Sequence, residues 1–132
     1  MIIKVSPDKE KAQSIMKMAE SRKKFLEKIE NTEFATILAE NYYEIIKELC
    51  TAIILVDGYK TTGEGAHKEL IDYMKNYGLH EPEISIMQDL RNKRNKSSYE
   101  GKQIESIYIE NNRADLVRII EKLNKILQRG LQ

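Results

Sequence analysis

A chain of 132 residues, 41% apolar and 33% charged, is long enough to bury one proper core and too short to divide into two domains. Its formal net charge of +1 excludes a protein that coats nucleic acid by long-range attraction, so any phosphate recognition has to come from a local patch. Six Gly, two Pro and a single Cys exclude a turn-rich sandwich and a disulfide scaffold.

The same composition predicts one all-α domain over residues 1–132: an up-and-down bundle of about five helices, beginning with two long antiparallel ones. Cys50 lies in an apolar run and reads as a buried thiol in a reducing cytosol. No window reaches the roughly 18 uninterrupted apolar residues of a membrane span, and the opening apolar run is too short for a signal peptide. A cytoplasmic chain with no membrane partner is the expectation.

Ser6-Pro7-Asp8 reads as a helix start, with Ser6 as acceptor for an orphan N–H, Pro7 at the first helical position and Asp8 complementing the dipole. From Ala12 the stripe Ile15, Met18, Ala19, Phe25, Leu26 and Ile29 is helical and is interrupted only by Arg22, giving a helix over about 7–30. Asn31-Thr32-Glu33 offers a cap after a short break, so the next helix, about 33–57, turns back against the first. Its second half is apolar around most of the circumference, which calls for neighbours on several sides. Glu44, Lys47 and Glu48 form its polar seam, and two carboxylates one turn apart read first as a solvated face.

Gly58 closes this helix, and the following loop spaces its glycines unlike a phosphate-binding loop. A third helix carries Ala66, His67, Leu70, Ile71, Met74 and Tyr77 on one face and stops at Gly78. His67 sits at its N-terminus, where the dipole disfavours the protonated form. His80 falls in the next loop as an exposed residue, and two isolated histidines without a spaced carboxylate or cysteine cluster predict no metal site. Pro82 opens a fourth helix bearing Ile84, Met87 and Leu90; 102–105 has no clear period; a fifth helix covers about 106–128. No segment alternates long enough to demand a strand.

The segment from Asp89 to Gly101 breaks this regularity. After Leu90 eight consecutive residues are polar, and Arg91, Lys93, Arg94 and Lys96 are cationic. Continued as a helix, the stripe Ile84, Met87, Leu90 next reaches Arg91, Arg94 and Ser98, so at least one arginine points inward. A guanidinium cannot lose its charge and is costly to desolvate alone, so it requires a partner, a solvated cleft or a ligand. Arg94 and Tyr99, five residues apart, lie about 140° apart on an ideal helix. They converge only if the helix ends or loosens before Gly101.

Together these features resemble the HEPN family of small helical domains, over most of the chain. The resemblance rests on two long antiparallel helices, on Gly58-Tyr59-Lys60 followed by Ala66-His67-Lys68-Glu69-Leu70-Ile71, and above all on Leu90-Arg91-Asn92-Lys93-Arg94-Asn95-Lys96-Ser97-Ser98-Tyr99-Glu100-Gly101. The family's motif is an Arg, usually followed by a polar residue, and a His a few positions later. Here Arg94-Asn95 matches its start, and Tyr99 stands where the His would fall. The resemblance implies a homodimer with a composite cleft around Arg94 that takes RNA or a nucleotide without metal or cofactor. It also implies a possible partner, a small MNT-type nucleotidyltransferase, in a toxin-antitoxin pair. The implied site is Arg94, Asn95 and Tyr99, with Glu48 and His67 in support. Two alternatives stand beside this binding domain. One is a metal-independent endoribonuclease using Tyr99 in place of the His; the other is a non-catalytic protein that associates through the apolar face of its second helix.

Overall fold

A computed structural model describes residues 1–132. The elements in chain order are β1 (Ile2–Lys4), α1 (Lys9–Glu27), α2 (Ala35–Val56), β2 (Tyr59–Thr61), α3 (Ala66–Tyr73), α4 (Glu81–Glu100) and α5 (Ser106–Leu131), with a 3₁₀ turn (Met74–Tyr77) extending α3. The all-α bundle is therefore as expected, with α1 and α2 the long N-terminal pair.

Helix α2 is the axis of the molecule, with α1, α3, α4 and α5 all packed against it. Ile53, Ile54, Leu55 and Val56 are buried in succession. A helix can bury four consecutive side chains only if it is surrounded, which is what the apolar circumference of its second half required. Its core continues into Leu70, Ile71, Met87, Leu90, Ile109, Leu116, Ile120 and Leu123 from the other helices.

Several boundaries differ from the sequence reading, each for a local reason. Asp8, not Ser6, caps α1, its carboxylate accepting from Lys11 N at 2.9 Å, so the helix starts two residues later. No side chain caps α2, whose N-cap position is Phe34; Asn31 instead accepts from Glu33 N within the turn. Arg113 of α5 closes the α1–α2 turn by donating to the carbonyls of Ile29 and Glu30 and to the Tyr42 hydroxyl. That contact spans more than eighty residues of sequence, out of reach of any local pattern.

The two short strands are the one departure from a purely helical chain. They pair antiparallel, Ile2 with Thr61, Ile3 with Lys60 and Lys4 with Tyr59. With three residues each there is no alternation to read. Gly58 makes the pairing possible. Its φ is +82°, Val5 N donates to its carbonyl at 2.8 Å, and a Cβ at this position would stand 2.7 Å from the Val5 carbonyl oxygen.

Candidate functional site

Helix α4 carries the polar segment without a break. Gly101, at φ +67°, ends it: Gly101 N donates to the Ser97 carbonyl at 3.1 Å and Lys102 N to that of Lys96 at 3.4 Å. Because the helix stays regular through Glu100, Tyr99 does not swing towards Arg94. Tyr99 is 81% exposed and Arg94 is turned into the bundle, so within one chain the two are not brought together.

Arg94 meets α2. Its guanidinium carbon lies 5.3 Å from the centre of the buried Tyr43 ring, and one of its nitrogens lies 3.7 Å from Glu44 Oε1. Glu44 is at the same time held by Lys47, at 2.9 Å. Arg91, one turn earlier, has no carboxylate partner: it donates to the neutral amides of Gln88 at 2.7 Å and Asn92 at 3.1 Å, and Gln88 is itself anchored to Lys68 and Asp72 of α3. Arg91 is thus held by neutral amides, and Arg94 by an aromatic face and one long contact to a carboxylate. Asn95 beside it is half-buried.

Glu48, read from the sequence as part of a solvated face, is only 16% exposed and is bound by Arg22 of α1 at 2.8 Å. This explains the one charge that interrupts the α1 stripe. Burial still holds the Glu48 carboxyl above its ordinary range, opposed by Arg22. Arg22, Glu40, Asn41, Glu44, Arg94 and Ser98 line an open groove of about 220 Å³. Glu44 of the polar seam, with Glu40 and Asn41, is therefore the α2 side of a groove between α1 and α4.

His67 comes to the other side of this cluster, its ring centre 6.4 Å from that of Tyr43. Burial, then the positive charges of Lys47 and Arg94, lowers its pKa below the usual histidine value, so the imidazole is neutral at pH 7. The Tyr43 hydroxyl is buried without a hydrogen-bond partner, and burial pushes its pKa up to about 12 against the opposing pull of Arg94 and Arg91. The cluster holds a guanidinium paired only at 3.7 Å, a neutral imidazole, and two carboxylates already bound by Lys47 and Arg22.

Exposed apolar side chains stand near in sequence to the lining: Met18 and Phe25 lie one turn either side of Arg22, and Ile37, one turn before Asn41, lines a separate groove with Phe34. Met18 and Phe25 belong to the apolar stripe read along α1 yet face outward, since helical spacing alone cannot tell an inward stripe from an outward one beside it. Arg22 and Glu44 were missed as members of the site for a related reason: their partners lie on other helices.

Histidine, cysteine and acidic side chains form no cluster with metal-binding geometry, and no helix is long and apolar enough to cross a membrane. Compared with protein-family models, with curated proteins and with solved structures, the chain gives no match.

Proposed function

We propose that this chain is a HEPN-like nucleotide- or RNA-binding domain. It acts as a homodimer whose composite cleft is centred on Arg94, and it is the binding partner of a small nucleotidyltransferase in a toxin-antitoxin pair. The observation that carries the reading is Arg94 itself, a cation turned into a polar groove whose only carboxylate partner, at 3.7 Å, is shared with Lys47. A phosphate would complete its pairing with bidentate geometry. Exposed Met18 and Phe25 of α1 and Ile37 of α2, each one turn from a lining residue on its own helix, give a second copy an apolar surface to cover beside that groove.

Binding of a short single-stranded RNA, followed by fluorescence anisotropy in low salt, tests the ligand. Arg94→Ala loses at least ten-fold in affinity if the reading holds. Sedimentation of Ile37→Asp tests the dimer, which this variant should dissociate. An Arg94→Ala protein that binds RNA as tightly as wild type sinks the proposal.

A second reading, metal-independent RNA cleavage, is favoured by one specific observation: the neutral His67 shares the Tyr43 ring with Arg94. In this reaction His67 takes the 2′-hydroxyl proton and the 2′-oxygen attacks phosphorus. Arg94 stabilises the charge that develops there, and the P–O5′ bond breaks as the 5′-oxygen takes a proton from water, leaving a 2′,3′-cyclic phosphate and a 5′-hydroxyl; the His67 imidazolium returns its proton to the hydroxide so formed. Tyr99, far from Arg94 within the chain, takes no part unless the second copy supplies it. Chelator-resistant cleavage that survives Tyr99→Phe and is lost in His67→Ala establishes this reading; intact RNA after incubation with wild type rejects it.

A further inference from the structure

A second groove lies on the opposite flank of α4, between that helix, the 101–105 turn and the start of α5. Its volume is about 490 Å³, more than twice that of the Arg94 groove, and it is lined chiefly by polar side chains. Lys93 and Lys96 face it from the helix, and the left-handed turn at Gly101 brings Lys102 into the same groove. Three cations from two elements therefore converge on one space.

None of the three takes part in an ion pair, although Asp89 and Glu105 line the same groove. Lys93 lies 5.1 Å above the Tyr108 ring. Tyr108 is only 8% exposed, and its hydroxyl is buried with no hydrogen-bond partner, which is rare for a polar group in a folded chain. The N-terminus of α5 opens on the groove as well, and no side chain caps it. Three unpaired lysines outnumber the two carboxylates of the groove, one of them Glu105 at the N-cap of α5, and leave it net positive; the Asn111 amide adds a neutral donor and acceptor.

Aromatic surface flanks these cations. Tyr99 follows Lys96 by three residues, so the two are neighbours on the helix surface, and it is almost fully exposed. Phe34, 59% exposed, lines an adjoining groove that shares Gln103 and Ile104 with this one. Lysines tracking a backbone with aromatic rings on either side are the chemistry that holds single-stranded nucleic acid.

We propose that the groove between α4 and α5 binds nucleotide phosphates through Lys93, Lys96 and Lys102, with a neighbouring base stacked on Tyr99. The ligand is a nucleotide, free or within single-stranded RNA. This site shares no residue with the Arg94 groove and stands or falls independently of it. It also gives Tyr99 a role that its distance from Arg94 leaves open.

The test compares wild type with a Lys93→Gln, Lys96→Gln, Lys102→Gln triple variant, measuring anisotropy of a short single-stranded RNA across a salt series. The expected result is at least ten-fold weaker binding, with the salt slope reduced by about 2, at roughly 0.7 per phosphate contact on a single strand. Replacing the same three residues by Arg should restore both. Removing three exposed lysines of α1, by Lys9→Gln, Lys11→Gln and Lys17→Gln, controls for lost charge alone and should change affinity less than three-fold. Unchanged RNA affinity in the triple variant, or an equal loss in the α1 control, overturns the proposal. Titration with AMP separates the two sources: AMP shifts of the Asn111 side-chain amide resonance mark a mononucleotide site, and shifts with RNA alone mark a backbone track. Arg94→Ala serves as the independent arm. If it abolishes binding while the triple variant does not, the Arg94 cleft is retained and this groove is rejected; the reverse result retains the groove and rejects the cleft.

Discussion

Arg94 approaches Glu44 at 3.7 Å while Lys47 holds the same carboxylate at 2.9 Å, so the arginine is the weaker claimant on its only acidic partner. Glu44 thereby competes with any anion that enters the groove. Glu44→Gln removes that competitor and is predicted to tighten RNA or nucleotide binding several-fold, read by anisotropy in low salt. The pair is about a quarter exposed, so its loss should change stability by less than about 1 kcal/mol. Weaker binding in Glu44→Gln would mean that the carboxylate positions Arg94 rather than competing with the ligand.

The Arg22–Glu48 pair behaves differently because it is more enclosed. Burial raises the Glu48 pKa in spite of Arg22, so ionising this carboxyl costs stability as pH rises through the acid range, and Arg22 limits that cost. Arg22→Met strands the carboxylate and is predicted to destabilise by about 1–3 kcal/mol at pH 7. At pH 4, where Glu48 is largely protonated, the same substitution should cost markedly less. Urea unfolding of both proteins at the two pH values decides it, and an equal loss at both would remove the carboxylate from the explanation.

How far the sequence carried the fold depended on the range of each interaction. The five helices were legible because apolar periodicity is local and repeats over many turns, as in α2 and α5. Gly58 and Gly101 were legible as stops because a left-handed residue leaves a local mark. The β1–β2 pairing was not: three residues on each side make no pattern, and the partners lie more than fifty positions apart. The site divides along the same line. Arg94 was recognisable as an inward cation from its own helix, and His67 was flagged near the start of α3. Arg22 showed itself only as a flaw in the α1 stripe, since Glu48 lies on another helix. Tyr99 was tied to Arg94 by a motif, and regular helix geometry turned it towards Lys96.

The two glycines should separate in mutation. Gly101 has a positive φ but open space around its missing Cβ, so Gly101→Ala carries the left-handed strain alone, about 1–2 kcal/mol. Gly58 has the same strain plus a Cβ that would press on the Val5 carbonyl and on Pro7. Gly58→Ala is predicted to cost about 3 kcal/mol or more and to loosen the strand pair, seen as faster amide exchange at Val5. Equal losses in thermal or urea unfolding would show that the N-terminal strand yields to the new side chain.

Tyr43 and Cys50 of α2 contribute to the alkaline limit of the fold, together with Tyr77 and Tyr108, whose pKa values burial also raises. Burial pushes the first two to about 12, from ordinary values of 10.0 and 9.0. The unfolded chain therefore releases these protons first. The stability they provide is complete below pH 9 and is lost as pH rises towards 12, on the order of 3 kcal/mol for Tyr43 and 4 kcal/mol for Cys50. Cys50 should resist thiol reagents at pH 8 and react only as the chain unfolds. Tyr43→Phe isolates the other contribution. The Tyr43 hydroxyl has no hydrogen-bond partner, so its removal sacrifices none and should leave stability at pH 8 within about 0.5 kcal/mol or slightly higher. At pH 11 the variant should exceed wild type by a kcal/mol or more, because it has no phenol to ionise on unfolding. A loss above about 1.5 kcal/mol at pH 8 would show that the hydroxyl is bonded within the Arg94 cluster, and the cluster would then be tied to the core through Tyr43.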